Sequence, residues 1–385
     1  MIVLRGVLRY FAPDAERLLP RITTEAYMLV RSLFISLILA PLAAALISAP
    51  TQAAAPVSGA SAATGSGSPA TTASETEQRT AQNMLAALDN VVKLKVTAIA
   101  NARSGRTLGR EREGSGVLLA DSGLVLTIGY LILEADSIEL TDHTGRIISG
   151  SVAAYDHSSG FGLIKPAAAL SSKGIALGSS GDISEQDKLI FAPFGGKENA
   201  SLATVASKRR FAGYWEYLID DAIFTVPARG DHSGAALINR DGKLVGVGSL
   251  IVADAAMPNR RSPGNMFVPV DLLKPIMNEL TTTGRSKEST RPWLGLSTQE
   301  VEGRLHVLRV QSDAPAAEAG LKPGDIILSI QGEAVESLEQ FYRKLWAIGV
   351  AGTAVPLKVL QGSEVRDVNV RSIDRMDYVR TKEAL

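Results

Sequence analysis

The sequence predicts a mainly β protein, because three patterns in its 385 residues are typical of β-sheets. From Asn90 to about Val270, short apolar runs follow one another with turn signals between them. Asp241-Gly242 stands between two apolar runs, which is a strong signal of a β-hairpin. Beyond Trp293, strand-like runs alternate with two short helical segments, which indicates a second, mixed domain. Many short strands at regular spacing are typical of a β-barrel or a β-sandwich.

The predicted strands of the first region are short and apolar. They span residues 91–96, 116–119, 124–127, 137–140, 147–152, 189–192, 202–205 and 222–226, followed by the hairpin around Asp241-Gly242. Residues 75–89 have one apolar face and predict a helix before the first strand. Residues 271–280 predict a closing helix, and the polar residues 281–291 predict a second linker.

The C-terminal region predicts four strands and two helices. The strands span residues 305–310, 326–330, 355–360 and 366–370, and a short helix lies within residues 313–320. The second helix runs from Leu338 to Trp346 with an apolar stripe, and Ser337 with Gln340 predicts a capping box at its start.

Composition excludes several classes of function. Lys+Arg and Asp+Glu both number 40, so no overall charge favours nucleic acid, and none is predicted as a partner. Cysteine is absent, which excludes disulfides and thiol catalysis and suits an oxidising compartment. The four histidines show no metal-ligand spacing, so neither a metal site nor a cofactor is predicted.

An uncharged apolar run occupies residues 32–50, and arginines precede it. Counted from Met28, this segment has the length of an ordinary signal peptide, whereas an uncleaved anchor is the other interpretation. Both interpretations export the rest of the chain, because the arginines stay inside. The expected location is therefore the periplasm, with attachment to the inner membrane if the segment is not cleaved.

A serine on a tight turn before an apolar strand is the next feature. Gly230-Asp231-His232-Ser233-Gly234-Ala235 resembles the G-[ND]-S-G-G-[AP]-L elbow of the HtrA family, which comprises periplasmic trypsin-like proteases with PDZ domains. Residues 114–118 resemble the segment that precedes the histidine in that family. The resemblance implies a trypsin-like double β-barrel in which Ser233 holds the position of the nucleophile.

The other catalytic positions depart from the family pattern. By the resemblance, Tyr130 stands at the histidine position and Gly160 at the aspartate position. A phenol with a pKa near 10 is a poor general base at neutral pH, and glycine has no side chain. Asp231 stands where the family has the glycine whose amide, with that of Ser233, forms the oxyanion hole, and a carboxylate there would oppose a developing oxyanion.

The C-terminal region resembles a bacterial PDZ domain. Residues 316–327 match the pattern A-x-x-A-G-L-x-x-G-D-x-I, and Trp293-Leu294-Gly295-Leu296 matches the loop that captures a peptide carboxylate. Leu338 and Phe341 are candidates to line the mouth of the peptide groove, although a core role explains most of their stripe.

With this resemblance the chain divides into five parts. They are a signal peptide or anchor (1–54), a disordered Ala/Ser/Gly linker (55–75), a trypsin-like protease domain (76–284), a PDZ domain (285–378) and a tail (379–385).

Two functions follow from the resemblance. The first is an extracytoplasmic pseudoprotease that binds unfolded proteins or C-terminal peptides through its PDZ domain. The alternative is an active serine endopeptidase of envelope quality control with an atypical site using Ser233. The resemblance also implies a homo-trimer, or a hetero-oligomer with an active HtrA-like protease.

Overall fold

Two closed β-barrels and a third sheet make up the computed structural model, which describes residues 82–380. The predicted signal or anchor segment, the linker 55–75 and most of the C-terminal tail lie outside these residues. Within them, no helix combines the length and the apolar character needed to cross a membrane. A helix at residues 82–88 (α1) agrees with the predicted one as far as the description reaches.

The first barrel has strand order β1-β2-β3-β6-β5-β4, with neighbours antiparallel. Its elements are β1 (Val91–Ala98), α2 (Gly105–Leu108), β2 (Glu111–Leu118), β3 (Val125–Ile128), β4 (Ala135–Thr141), β5 (Ile147–Tyr155) and β6 (Phe161–Pro166). Apolar side chains from these strands, such as Leu94 and Leu126, are fully buried. Closing the sheet turns one face of every strand into a common core and leaves no sheet edge.

The second barrel has strand order β10-β11-β12-β9-β8-β7. Its elements are β7 (Lys188–Ala192), α3 (Gly196–Asn199), β8 (Ser201–Gly213), β9 (Tyr217–Val226), β10 (Ala236–Ile238), β11 (Leu244–Val252) and β12 (Gly264–Pro269). The hairpin predicted at Asp241-Gly242 is confirmed as the turn between β10 and β11. The longest hairpin is β8–β9, and its tip, residues 214–216, extends from the barrel.

The predicted closing helix over residues 271–280 is wrong in its extent. The chain forms two 3-10 turns, Val270–Leu272 and Lys274–Ile276, before α4 begins (Met277–Thr283). Pro275 explains the break, because proline has no N–H to donate within a helix and its ring clashes with the preceding turn.

The third sheet has strand order β13-β14-β15-β17-β18, with β16 paired to β15. Its elements are β13 (Leu296–Val301), β14 (Arg304–Val310), α5 (Pro315–Glu318), β15 (Ile326–Ile330), β16 (Glu333–Ala334), α6 (Leu338–Ala347), β17 (Ala354–Gln361), β18 (Glu364–Arg371) and α7 (Arg375–Tyr378). The predicted cap of α6 is confirmed, because Ser337 Oγ accepts a hydrogen bond from Gln340 N at 3.2 Å. The mainly β fold class is confirmed.

The segment 281–291, predicted to be a linker, packs against the first barrel instead. Its last part forms the 3-10 turn Lys287–Thr290. Ser286 and Ser289 are buried, and both hydroxyls form hydrogen bonds with barrel residues. Ser286 Oγ donates to Asp156, and Ser289 Oγ accepts from His157 N at 2.6 Å. At Ser286 and Ser289 the polar side chains therefore serve hydrogen bonding across an interface rather than contact with solvent.

His157 is buried beside the segment 281–291. Arg375 Nη1 lies 2.5 Å from its Nδ1 and 3.0 Å from its Nε2. Burial, and then the charges of Arg375 and Arg291, lower the pKa of His157 well below its usual value. The imidazole ring is therefore neutral and accepts a hydrogen bond from Arg375, which lies in α7 after the third sheet.

Asp156 generates the first testable prediction. Burial alone would raise its pKa, but hydrogen bonds from Ser159 and Ser286 outweigh that effect and hold the pKa below the usual value. We expect Asp156→Asn to lower the free energy of unfolding at pH 7 by about 2 kcal/mol, the usual size for hydrogen bonds to a charged group. Urea denaturation is the measurement.

The pH dependence has a defined sign. A depressed carboxyl pKa stabilises the fold above the unfolded-state pKa, about 3.9 for aspartate, and this contribution disappears as the pH falls. The difference between wild type and Asp156→Asn should therefore shrink on acidification. Asp121→Asn, at an exposed turn residue, is the control for the change in charge. An equal loss for both variants would contradict the assigned role of Asp156.

Candidate functional site

Ser233 lies on the turn between β9 and β10, and backbone hydrogen bonds hold this turn between the two barrels. Ser233 O accepts from Ser115 N at 2.8 Å, and Gly234 N donates to Gly248 O at 2.9 Å. Gly234 has φ +73°, and a Cβ there would lie 1.9 Å from Ser115 O. Only glycine fits this position, because the turn that presents Ser233 is tightly packed against Ser115.

Tyr130 contacts Ser233 directly. The tyrosine lies in the 3-10 turn Gly129–Leu131 that follows β3. Its hydroxyl oxygen lies 2.8 Å from Ser233 Oγ and 2.9 Å from the carbonyl oxygen of Ser249. Burial raises the pKa of Tyr130 to about 12, although the hydrogen bond with Ser233 acts in the opposite direction. The phenol therefore stays protonated at neutral pH and cannot take a proton from Ser233.

Gly160 lies in the turn before β6, with φ +81°. Its carbonyl accepts from Gly129 N at 2.7 Å, which links the two turns. A Cβ at Gly160 would lie 2.7 Å from the hydroxyl of Tyr217 and 3.2 Å from its ring. The Tyr217 hydroxyl in turn donates to Ser159 O at 2.6 Å. The phenol of Tyr217 thus occupies the space that a side chain at position 160 would need.

Asp231 and His232 face away from Ser233. Asp231 accepts two hydrogen bonds from Arg229, at 2.9 and 2.6 Å. The hydrogen bond from Arg229, and to a smaller extent the residue's own backbone N–H, keeps the pKa of Asp231 below its usual value. His232 Nδ1 lies 3.2 Å from Arg229 O, and burial lowers the pKa of this histidine. The three consecutive residues therefore form no relay.

The loop Trp293-Leu294-Gly295-Leu296 holds a carboxylate supplied by the same chain. Glu216, in the tip of the β8–β9 hairpin, accepts from Leu294 N at 3.0 and 3.3 Å, from Gly295 N at 2.8 Å and from Leu296 N at 2.9 Å. Gly295 has φ +80°, and a Cβ there would lie 2.4 Å from that of Ala314. Glycine is therefore required by close packing as well as by the turn.

The hairpin tip makes further contacts with the same domain. Thr298 N donates to Tyr214 O at 2.8 Å, and Tyr342 Oη donates to Gly213 O at 2.7 Å and accepts from Glu216 N at 3.2 Å. Leu218, just beyond the tip, packs into the core of the third sheet. The tip therefore contacts β13 through Thr298 and α6 through Tyr342.

Burial raises the pKa of Glu216 to about 7, while the amides of Leu296 and Leu294 and the charge of Arg375 act to lower it. Arg291 is a second cation near this carboxylate, and burial lowers its pKa to about 10. The Arg291 guanidinium lies over the Trp346 ring, 3.4 Å from its centroid. The carboxylate is thus compensated by fixed amides and by two cationic neighbours.

Leu338 and Phe341 belong to the core of the third domain. Both are buried, and Phe341 is fully so. Sequence reasoning missed Glu216 and Tyr217, which connect the site around Ser233 with the loop around Gly295. The only signal was the aromatic run Tyr214-Trp215-Glu216-Tyr217, and nothing in it indicated which domain each side chain would face. Among residues 82–380, no group of histidine and carboxylate side chains could hold a metal ion.

Comparison with known families assigns both regions. Residues 114–247 match the sequence model of the trypsin-like peptidase domain, and residues 292–371 match that of the PDZ domain. This chain combines a trypsin-like domain with a PDZ domain.

Similar sequences include probable periplasmic serine endoproteases described as DegP-like. The protein of Halomonas elongata is 26% identical over 287 residues, which cover 69% of this chain and 57% of the relative. That of Hahella chejuensis is 28% identical over 276 residues, which cover 67% of this chain and 56% of the relative. The chain thus spans little more than half the length of the curated relatives it matches.

Similar solved structures include an HtrA-type protease and a serine endoprotease. The HtrA-type protease AlgW with a decapeptide has a TM-score of 0.48 at 18% identity, over 79% of this chain and 98% of that one. A serine endoprotease from Yersinia pestis has a TM-score of 0.47 at 20% identity, over 77% and 97%.

Packing around Gly160 generates the second prediction. We expect Gly160→Ala to destabilise the protein by about 1 kcal/mol for the left-handed backbone and a further ~2 kcal/mol for the clash with Tyr217. Gly303→Ala is the matched control, because Gly303 has φ +70° and an added Cβ there would meet no atom within 4 Å. Chemical denaturation of both variants measures the difference.

A double-mutant cycle tests the contact itself. If the Tyr217 hydroxyl is the obstacle, Gly160→Ala should cost less in a Tyr217→Phe background than in wild type. Equal costs in the two backgrounds would show that Tyr217 does not fill the position.

Proposed function

We propose that this protein is an exported, proteolytically inactive relative of the HtrA-type proteases, which acts by binding protein C-termini or exposed peptides through its PDZ domain. The observation that carries the proposal is the hydroxyl of Tyr130, which lies 2.8 Å from Ser233 Oγ where the resemblance requires a histidine. With a pKa of about 12, the phenol holds its proton throughout the physiological range.

The size of the expected loss supports inactivity. Removing members of a Ser-His-Asp triad costs about 10⁴- to 10⁶-fold in kcat. By the resemblance, Tyr130 replaces the base and Gly160 the orienting carboxylate, and the phenol of Tyr217 lies where a side chain at position 160 would extend. A third obstacle is Asp231, whose carboxylate lies beside the backbone N–H that the resemblance assigns to oxyanion stabilisation.

The peptide-binding half of the proposal rests on the loop around Gly295. Its three amides converge on one carboxylate, which is the chemistry that captures a peptide C-terminus. Unfolded proteins and C-terminal peptides are therefore the proposed partners. Periplasmic location and assembly, as a homo-trimer or with an active HtrA-like protease, are proposed from the similarity to proteins named periplasmic endoproteases.

A pair of assays tests the proposal. Purified protein is incubated with unfolded casein and, separately, with a serine-reactive fluorophosphonate probe. We expect neither cleavage nor labelling, and no difference between wild type and Ser233→Ala. Cleavage that disappears in Ser233→Ala would establish the alternative, an active serine endopeptidase with an atypical site.

Rescue of the site generates the third prediction. We expect Tyr130→His with Gly160→Asp to remain unlabelled, because an aspartate at position 160 meets the phenol of Tyr217. Adding Tyr217→Ala makes room, so this triple variant should be the first to react with the probe. The triple variant with Ser233→Ala is its control. Casein cleavage by the double variant alone would contradict the role given to Tyr217.

A further inference from the structure

The hairpin tip occupies the PDZ groove in the way a peptide terminus would. The side-chain carboxylate of Glu216 takes hydrogen bonds from three consecutive backbone amides, those of Leu294, Gly295 and Leu296. A terminal carboxylate would require the same three donors, so the two carboxylates cannot bind at once.

The backbone of the tip also lies against the sheet edge that a bound peptide would use. On one side β13 pairs with β14, and on the other side Thr298 N donates to Tyr214 O at 2.8 Å. A peptide that adds to the PDZ sheet as a strand would use this free edge of β13. The tip thus combines a carboxylate and a strand-like backbone contact in one segment.

We propose that Glu216 is a built-in competitor of the PDZ domain, so that a free peptide C-terminus binds only by displacing the β8–β9 hairpin tip. This inference rests on the proposed function, namely that the domain binds peptide C-termini. The tethered carboxylate is always present at high effective concentration. The apparent affinity for a peptide is therefore the intrinsic affinity multiplied by the fraction of molecules in which the hairpin tip is undocked.

The docked arrangement has features that favour displacement. Glu216 has a left-handed backbone conformation, φ +60°, which is strained for a residue with a side chain. Within the described residues, Arg291 Nε and Nη2 are buried without a hydrogen-bond partner. Unsatisfied buried donors make an interface costly, and burial raises the pKa of Glu216 to about 7, so docking disfavours the ionised form of this carboxyl.

The test measures peptide binding to the full-length protein and its variants. Glu216→Gly removes the carboxylate and suits the positive φ. Glu302→Gly is the matched control, because Glu302 has φ +49° and lies exposed in the turn between β13 and β14. The probes are fluorescein-labelled octapeptide mixtures ending in Val, Leu or Phe, each as free acid and as C-terminal amide, measured by fluorescence anisotropy.

We expect Glu216→Gly to bind the free-acid peptides at least tenfold more tightly than wild type does, with Glu302→Gly unchanged. The amides should gain far less, because they carry no terminal charge. Glu216→Gln keeps the size of the side chain and is the second variant in case Glu216→Gly disrupts the hairpin. Its affinity for the free-acid peptides should also rise, but by less.

Hydrogen–deuterium exchange provides a readout independent of peptide affinity. The amides of residues 294–296 should exchange slowly in wild type and faster in Glu216→Gly. Saturating free-acid peptide should slow them again in the variant.

The outcomes separate the two proposals. If wild type and Glu216→Gly bind free-acid peptides equally tightly, or if residues 294–296 exchange equally in both, the inference is wrong and the proposed function stands. If no protein binds any peptide, the proposed function is wrong and the inference falls with it.

Discussion

One buried carboxylate fixes the relation between the second barrel and the PDZ domain. Glu216 is buried, and an ionised group removed from water costs several kcal/mol unless fixed donors compensate it. The donors are the amides of the loop around Gly295, with Arg375 nearby. The long β8–β9 hairpin, the positive φ at its tip and the loop around Gly295 are all needed to bring the carboxylate and the amides together. Other contacts also tie the hairpin to this domain, namely the hydrogen bonds of Tyr214 O and Gly213 O, the ion pair between Arg210 and Glu339, and the apolar packing of Leu218.

Sequence reasoning was sufficient where the decisive interactions are local. The turn at Asp241-Gly242, the cap at Ser337 and the mainly β class depend on near neighbours and on hydrophobic period, and all are confirmed. The predicted closing helix was wrong in its extent because Pro275 interrupts it. This proline is visible in the sequence, and its effect was larger than that of the apolar pattern. Tyr130 and Ser233 were assigned to one site only by resemblance, and the structure brings their hydroxyls within 2.8 Å.

What could not be predicted depends on contacts between distant segments. Ser286 and Ser289 looked like linker residues because polarity does not reveal whether the partner is water or Asp156. Only the fold brings Arg375 to the buried His157, from more than two hundred residues away. Glu216 is the extreme case, since an acidic residue in a hairpin tip is ordinarily exposed. Its partners are backbone amides, which every residue except proline has, so no residue type marks them in the sequence.

The catalytic positions that the resemblance predicts to be replaced and the proposed closure of the peptide groove are connected through two adjacent residues, Glu216 and Tyr217. The Glu216 carboxylate accepts from the amides of the PDZ loop, whereas the hydroxyl of the next residue, Tyr217, donates to Ser159 O in the first barrel. The space left by the glycine at position 160 is thus used to seat the hairpin that blocks the groove. Restoring an aspartate there would disturb Tyr217, and with it the placement of Glu216. The surroundings of Gly160 are therefore a packed part of the domain interface, because the phenol of Tyr217 fills the space beside this glycine.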